Sequence, residues 1–531
     1  MKPALPGLAI LAALLIVPFA LRPRELVEDP TAPKLVVLTP HNEAIRHEIT
    51  RGFRRHMRER RQQQVRIDWR SPGGATEISR YLGSEFRSAF EAYWLARHGK
   101  PLSEKAARGF ADPKQSAEGD TEPARARREF LSSGAGIKID VLFGGGSYDF
   151  SQYAAAGLLV DSGVLERRAA LFGERGIPQS VGGEPYWDKQ GRWVGVCVSG
   201  YGICYNRDAL ARLGIERAPQ RWSDLADPRL IGHVALADPS KSGSANKAFE
   251  MILQQAMGEA VGRAGRPEAG SAEEAAALAE GFDAGMRLIR RIAASSRYFT
   301  DSASKVPQDV QSGASAVGMC IDFYGRFQTG ASGSASRLGF AMPAGGTSLG
   351  SDPIGLLRGA PDPGLSRELI DWSVSPSGQA IWAYRAGTPE GPERYALRRL
   401  AVLPGMYAPE RSQWRSDPDD NPYLSATQFT YRAAWTGPLF RALSFVIRVS
   451  CVDAEEELHE AARALAEHGF PARAQAELND VSLVSYQVVR SEIAPALASR
   501  DPLREVALQN RLVGAIKAQY ERVTELARSG K

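Results

Sequence analysis

Between residues 34 and 143, three short apolar runs alternate with two amphipathic stretches, and this alternation limits the fold more than any other feature. KLVVLT (34–39) is followed by EAIRHEITRGFRRHM, where Ile45, Ile49, Phe53 and Met57 recur every four positions on one helical face. VRIDWR (65–70) reads as a second strand, GGATEISRYLGSEFRSAFEAYW as a second helix, and KIDVLF (138–143) as a third strand. Parallel strands need a crossover, and a helical crossover packs back on the sheet, so β-α-β-α-β implies a parallel, doubly wound sheet. A polar insert, roughly 98–128, separates the second helix from the third strand. Its Lys, Asp, Glu, Gly and Pro content reads as a surface excursion.

A second set of elements follows. WVGVCVSGYGICYN (193–206), HVALAD (233–238) and SAVGMCI (315–321) read as strands, with helices starting at SGSANKAFEMILQQAM and SAEEAAALAEGFDAGMRLIRRIA. LGFAMP (338–343) and DPIGLL (352–357) return the chain to the first set. Two α/β lobes joined by more than one crossing create a cleft at the strand ends, where open sheets of this class take ligands. Past residue 400 the character changes. Residues 401–424 are rich in Pro, Asp, Arg and Trp, and 428–531 are mostly helical, with amphipathic AEEELHEAARALAEHG and LREVALQNRLVGAIKAQYERVTELAR. These helices read as a cap on the lobes or as a coiled-coil surface for a partner.

Two corners carry the functional expectation. In DVLFGGGSYDF (140–150) a strand stops at Gly144, Gly145, Gly146 and Ser147 before a helix; in ADPSKSGSANKAF (237–249) Ser240, Ser242, Gly243 and Ser244 do the same. A helix start offers unpaired N–H groups and the positive end of the dipole, which suits an anion. Ser199–Gly200–Tyr201–Gly202 is a third polar turn. It interrupts the strand 193–206; the first two corners, on opposite lobes and both at strand C-termini, suggest a cleft lined with donors for an anion or an oxygen-rich solute.

A net charge of +5 on 531 residues, with no zinc-finger or RNA-binding signature, argues against a nucleic-acid partner. Lys2 followed by LPGLAILAALLIVPFAL reads as a signal-peptide core or a short membrane anchor. Cys197, Cys204 and Cys320 lie in apolar runs and fit no zinc pattern; an oxidising compartment permits one disulfide among them, with Cys451 left over. Gly346–Thr347–Ser348–Leu349–Gly350 satisfies G-x-S-x-G, but a strand follows where a nucleophile elbow needs a helix. Ser302–Ala303–Ser304–Lys305 satisfies S-x-x-K without a K-T-G partner. Neither places a base beside a serine, and the expectation is a protein without a catalytic step.

VVLTPHNEAIRHEITRGF, DVLFGGGSYDFSQYAAAGLLV, GYGICYNRDAL, WSDLADPRLIGHVALADPSKSGSA, SAVGMCIDFYGR and FAMPAGGTSLGSDPIGLLRGAPDPGLSRELIDWSVSPSGQAIW, in that order over roughly 34–400, resemble the type 2 periplasmic solute-binding proteins of ABC transporters, in the iron(III)/phosphonate/sugar-phosphate branch (bacterial extracellular solute-binding protein family 1). The resemblance implies an α/β, two-lobed type 2 periplasmic-binding-protein-like fold, each lobe a doubly wound sheet, plus an added C-terminal helical region. Together with the residue patterns on either side, this divides the chain into a signal peptide or anchor (1–25), lobe 1 (34–148, with the insert 98–128), lobe 2 (149–337), a return to lobe 1 (338–400) and a loop and helical extension (401–531), the insert and the extension lying beyond what the resemblance covers. In iron-binding members a histidine or glutamine after the first strand and paired tyrosines after a lobe 2 strand hold ferric ion. His41 and Tyr324 match those places. The segment reads Cys320–Ile321–Asp322–Phe323–Tyr324, with one tyrosine instead of two. Fe(III) prefers oxygen donors, which Tyr324, Asp322 and Glu43 could supply. Without a metal the same groups would hydrogen-bond a phosphorylated or carboxylated solute. His41 and Asn42 read equally as turn and capping residues, and Tyr324 as a core tyrosine.

The expected ligand set is therefore His41, Asn42, Gly144, Gly145, Gly146, Ser147, Ser199, Tyr201, Ser240, Ser242, Gly243, Ser244, Asp322 and Tyr324, with His41 and Tyr324 as metal ligands if ferric ion is the cargo. No cofactor is required. The expected protein is a monomeric, periplasmic or extracytoplasmic transport component that holds a small anionic solute or ferric ion and meets an ABC permease in the inner membrane. The alternatives are a phosphonate or sugar-phosphate binder, a membrane-anchored sensor or scaffold using the C-terminal helices, and a serine hydrolase.

Overall fold

The computed structural model describes residues 29–331, 337–425, 428–499 and 501–530. The N-terminal apolar stretch, and with it the signal or anchor reading, lies outside the described residues. Lobe 1 begins with β1 (Lys34–Leu38), α1 (Glu43–Arg61), β2 (Arg66–Arg70) and α2 (Ala75–His98). Two helices in the insert region follow, α3 (Glu104–Gly109) and α4 (Glu122–Ser132), then β3 (Val141–Phe143), α5 (Ser147–Ala156), β4 (Leu159–Val160), a hairpin of β5 (Ser180–Val181) and β6 (Glu184–Pro185), and β7 (Trp193–Ser199). The chain crosses at Gly200 into β8 (Tyr201–Asn206), β9 (Val234–Ala237), α6 (Gly243–Arg263), α7 (Ala272–Ala294), β10 (Ser296–Thr300), α8 (Lys305–Ser312), β11 (Val317–Ile321), α9 (Asp322–Ala331) and β12 (Leu338–Ala341). It returns through β13 (Gly350–Leu357), α10 (Pro363–Ser373), α11 (Pro376–Ala383) and β14 (Leu400–Ala401).

The first sheet has the order β14-β7-β13-β3-β1-β2, with β4 paired to β13; the second has the order β10-β9-β11-β8-β12. Both sheets are mixed. The parallel winding read from the sequence is present in β3-β1-β2 and in β10-β9-β11. β13 runs antiparallel to β3, β4 and β7, and β8 runs antiparallel to β11 and β12. The reason is the crossing itself. A strand that arrives from the other lobe enters its sheet from the end where the parallel strands finish, so it must run against them.

Alternation on the strands sorts the core into layers. Leu35 and Val37 face α1, where they meet Ile45, Ile49, Phe53 and Met57. Val36 and Leu38 face α2 and its Ile78, Leu82, Phe86 and Phe90. The region 98–128 differs from the surface excursion its composition implies. Ser103 and Thr121 cap α3 and α4, and Ala106, Phe110, Ala126 and Phe130 join the α2 core. Arg127 is buried and donates to the carbonyls of Phe110, Ala155 and Ala156, tying the insert to α5.

The C-terminal region is neither a separate cap nor a free coiled-coil face. Val402 and Met406 pack into the lobe 1 core, whereas from Phe429 onwards the chain packs on lobe 2. The helices α12 (Phe440–Ile447), α13 (Glu455–Glu467) and α14 (Pro502–Arg528) share one core with α6 and α7: Leu443, Ile447, Leu458, Ile516 and Tyr520 meet Phe249, Met257, Phe282 and Met286. This explains the run Phe249–Met251–Ile252–Leu253 in α6. A helix apolar on every side is buried on every side, and α6 lies between its own sheet and the C-terminal helices. Among the described residues no helix is long and apolar enough to cross a membrane, and Cys197, Cys204, Cys320 and Cys451 are buried free thiols.

Candidate functional site

The glycine corner at 144–146 has a physical cause that sequence reading did not find. Gly144 has φ 92° and Gly145 φ 132°, both conformations that suit glycine. A β-carbon on Gly144 would lie 2.5 Å from the imidazole of His41. The corner is bare because His41 packs onto it. Its donors are also engaged within the protein: Gly144 N–H goes to the Pro353 carbonyl at 2.8 Å, and Gly145 N–H to Oδ1 of Asp352 at 2.8 Å. An internal carboxylate thus takes part of the anion-binding capacity expected of this corner for a ligand.

Asp352 is the centre of a buried charged cluster in the first sheet, on β13. His41 Nε2 is 3.1 Å from its Oδ2, and the Arg399 guanidinium bonds the same oxygen. Arg399 also donates to Ser199 Oγ at 2.7 Å and lies 4.2 Å over the ring of Phe323, which comes from lobe 2. Burial would raise the Asp352 carboxyl, but Arg399 and His41 more than offset it and hold the group well below the usual carboxylate range. Asp322, fully buried at the start of α9, is pushed up to about 6 by burial, against the pull of Arg326 and Arg399. Tyr324 is raised by burial and packs by its ring against Phe323, 4.3 Å away.

Of the two expected ferric ligands, His41 has an internal partner in this structure. The imidazole is committed to Asp352, with Arg399 Nη1 3.5 Å from the same nitrogen. A trivalent cation there would sit against a fixed guanidinium. Among the described residues no group of three or more His, Cys, Asp or Glu could hold a metal ion. Asn42 caps α1, accepting from Ile45 N–H at 3.1 Å.

A second cluster joins the lobes through Lys247 of α6. Its ammonium lies 3.1 Å from Glu184 on the lobe 1 hairpin and 2.9 Å from Glu250. Ser348 donates to Glu184 at 2.7 Å, Tyr431 donates to Glu250 at 3.0 Å, and Lys247 stands 3.5 Å over the Tyr431 ring. Burial of Lys247 disfavours its charge, but Glu184 and Glu250 overcome this and keep it cationic. Tyr201 lies in the same field, with its hydroxyl raised by burial and its N–H on Thr347 Oγ1. Ser348 is therefore a crossover residue bound to a carboxylate and followed by β13, not a nucleophile elbow. Lys305 of the S-x-x-K match is exposed and paired with Asp309.

Three helix mouths come together between the lobes. The β-carbon position of Gly243 in α6 is 3.6 Å from that of Ala75 in α2, and that of Gly74 is 3.6 Å from the Lys241 carbonyl. The α5 mouth joins through Phe440, whose ring is 5.3 Å from Tyr148 and whose carbonyl accepts from Asn246 at 2.9 Å. The mouths differ electrostatically. Glu77 takes the Gly74 N–H at 3.0 Å, and Asp149 occupies the first turn of α5. The 21-residue α6 has no acid in its first turn. Ser242 caps only Ala245, its hydroxyl 3.1 Å from that of Ser244, while Ser240 is turned to Asp238. Gly146 and Ser147 begin α5, with Ser147 buried.

Residues 138–398 match the family profile described as bacterial extracellular solute-binding protein. That stretch belongs to the bacterial extracellular solute-binding proteins. Two relatives match this chain over short spans: an uncharacterized protein of Haemophilus influenzae, 27% identical over 192 residues, and the phosphoglycerate transport regulatory protein PgtC of Salmonella typhimurium, 24% identical over 191 residues. Each match covers 36% of this chain, and it spans less than half of each relative, 46% and 40%. Among solved structures, the fructose-6-phosphate-bound binding protein AfuA of Actinobacillus pleuropneumoniae is 18% identical with a TM-score of 0.41, covering 66% of this chain and 81% of its own. Iron-bound HitA of Pseudomonas aeruginosa is 13% identical with a TM-score of 0.45, covering 78% and 99%.

Sequence reading missed Asp352, Arg399, Glu184, Lys247 and Glu250. Two of these had a visible signal. Asp352 is a charge that opens the apolar strand DPIGLL, and Lys247 stands three residues past Ser244 in the quoted corner.

Proposed function

We propose that the chain is the extracytoplasmic solute-binding component of an ABC importer, holding a small anionic, oxygen-rich solute between its lobes and presenting it to an inner-membrane permease. The observation that carries the reading is the α6 mouth. It is the one of the three converging helix starts with no acid in its first turn, and it offers Gly243 and Ser244 N–H groups and two hydroxyls towards lobe 1. Solute capture in such an architecture needs hinge motion and no covalent step. PgtC is named for phosphoglycerate transport, which makes phosphorylated carboxylates the first class to try. Arg399 already supplies a cation beside His41 and Asp352, which favours an anionic solute over ferric ion as cargo.

Calorimetry with phosphoglycerate, inorganic phosphate and phosphonates tests the reading. Ser244→Asp puts a carboxylate where the anion would sit. It is expected to weaken binding about a hundredfold or more while leaving the melting temperature unchanged or higher, since an acid in the first turn favours the helix. A wild-type protein indifferent to every anion in the panel would remove the anionic reading.

Asp149 sets an expected pH dependence. Burial raises its carboxyl to about 6, above its ordinary 3.8. The folded chain holds this proton more tightly than the unfolded one, so the group's contribution to stability is full below about 4 and is lost as pH rises through about 6. Anion affinity should rise as pH falls through the same window, because the charge at the α5 mouth disappears. Asp149→Asn should flatten that profile and raise the melting temperature at pH 8 but not at pH 4. An unchanged affinity profile would place the anion away from this mouth.

A further inference from the structure

At the edge of the first sheet away from the α6 mouth, the lobes meet through charge. α2 follows β2 at one edge of that sheet, and the chain after β14 runs along the other. Residues 415–420 of this later segment are stitched to lobe 1. Tyr384 and Arg415 form a β-bridge, Ser416 N–H donates to the Ala383 carbonyl at 2.9 Å, and the Arg415 guanidinium donates to the Pro418 and Asp420 carbonyls. The loop thus fixed presents Asp417 and Asp420 to Arg326, which belongs to α9 of lobe 2 and is 7% exposed. Arg326 Nη1 donates to the Asp420 carboxylate and lies 3.9 Å from Asp417. The contact is hollow. A cavity of about 500 Å³ adjoins it, lined by Arg326, Thr329 and Phe340 of lobe 2 and by Arg398, Asp417 and Asp420 of lobe 1. Well-packed apolar interfaces leave no such space, so charge more than apolar burial holds this flank.

Each side of this contact also has a second partner in its own lobe. Asp417 accepts from Arg398 Nε at 3.2 Å. Arg326 stands four residues after Asp322, one turn along the same helical face, and its Nε is 3.8 Å from Asp322 Oδ2. That separation suits an ion pair but is too long for a hydrogen bond. Among the described residues, both atoms are buried without a hydrogen-bond partner. Asp322 Oδ1 accepts from Phe323 N–H at 2.8 Å, and Asp322 N–H donates to the Gly200 carbonyl at 2.9 Å, which fixes this acid at the crossing between the lobes. Arg399, the other cation near Asp322, is engaged by Asp352. Breaking a buried pair is ordinarily costly because it strands a charge. A side-chain rotation that trades Asp420 for Asp322 avoids that cost. We propose that Arg326 is a two-position latch between the lobes: on Asp420 it holds this flank closed, and on Asp322 it lets the lobes part without an unpaired buried guanidinium. The proposal rests on the hinge motion of the preceding reading and not on the solute.

The test follows the interlobe distance in the full chain, without solute, by double electron–electron resonance. Spin labels go on Glu410→Cys of lobe 1 and Ala211→Cys of lobe 2, both exposed positions, while the native thiols are buried. Asp420→Asn removes the closed partner and should raise the separated population about tenfold. Asp322→Asn removes the open partner and should shift the same distribution the other way. Opposite signs mark a latch, because an arginine that only supports the structure would loosen it in both variants. In an Arg326→Gln chain, which lacks the shared donor, adding Asp420→Asn should leave the distribution unchanged, and this arm decides the matter if Asp322→Asn does not fold. Shifts in one direction from both variants, no shift from either, or a response to Asp420→Asn that persists without Arg326 would overturn the proposal. Since no solute is present, indifference to every anion in the calorimetric panel would not bear on this result.

Discussion

Arg399→Met is expected to destabilise the chain by about 3–5 kcal/mol, the usual cost of removing one partner from a buried ion pair. Arg399 is 2% exposed. Methionine matches much of its volume, so a packing loss is small beside the electrostatic one. The substitution leaves the Asp352 carboxylate with His41 and the Gly145 N–H but no permanent cation. It also removes the donor to Ser199. The pH dependence separates this account from simple misfit. In the wild type Asp352 is depressed, so its contribution is present above about 3.8 and is lost as pH falls through its folded value. In the variant, burial is opposed only by His41 and the Gly145 N–H and the carboxyl rises, so stability should decline with rising pH instead. Urea titrations at several pH values measure both. A variant whose loss is the same at every pH would show that Arg399 acts only by filling space.

The legible part of the fold is the part specified by local periodicity. The α1 stripe Ile45–Ile49–Phe53–Met57 and the alternation in β1 both face the core that the pattern predicts. The direction of β13 and β8 was not legible, because strand polarity depends on where a chain re-enters a sheet and leaves no trace in apolar spacing. The insert 98–128 misleads for another reason. Its two short helices bury only Ala106, Phe110, Ala126, Phe130 and a few neighbours, so a polar average hides a small apolar face. At the site, the corners were visible as glycines and serines, but the occupant of the first corner was not. His41 and Asp352 reach Gly144 and Gly145 from 103 or more positions away in sequence. A bare backbone accommodates an internal side chain as readily as a ligand, and composition alone does not distinguish the two.

A chain ending at residue 427 is expected to lose the cooperative folding of lobe 2 and to aggregate. The C-terminal region does not cover a finished core; it supplies half of one. Leu443, Val446, Ile447, Leu458, Leu465, Ile516, Tyr520 and Val523 are buried in the one core that the C-terminal helices share with α6 and α7, and each such side chain contributes about 1.5–3 kcal/mol when removed from water. Their sum, about 12–24 kcal/mol, is as large as or larger than the 5–15 kcal/mol that holds an ordinary domain folded. Polar groups left behind add to the cost. Arg290, 1% exposed, would lose its acceptors at the Leu478 and Asp480 carbonyls, and Glu250 would lose the Tyr431 and Thr436 hydroxyls and keep only Lys247. Because Glu250 and Lys247 lie on the helix whose mouth faces lobe 1, any partial fold that survives should also lose solute binding. Circular dichroism, light scattering and calorimetry on the shortened chain measure these effects. A soluble, cooperatively melting 29–427 chain that still binds its anion would mean that the C-terminal helices are an accessory layer and that lobe 2 closes its core without them.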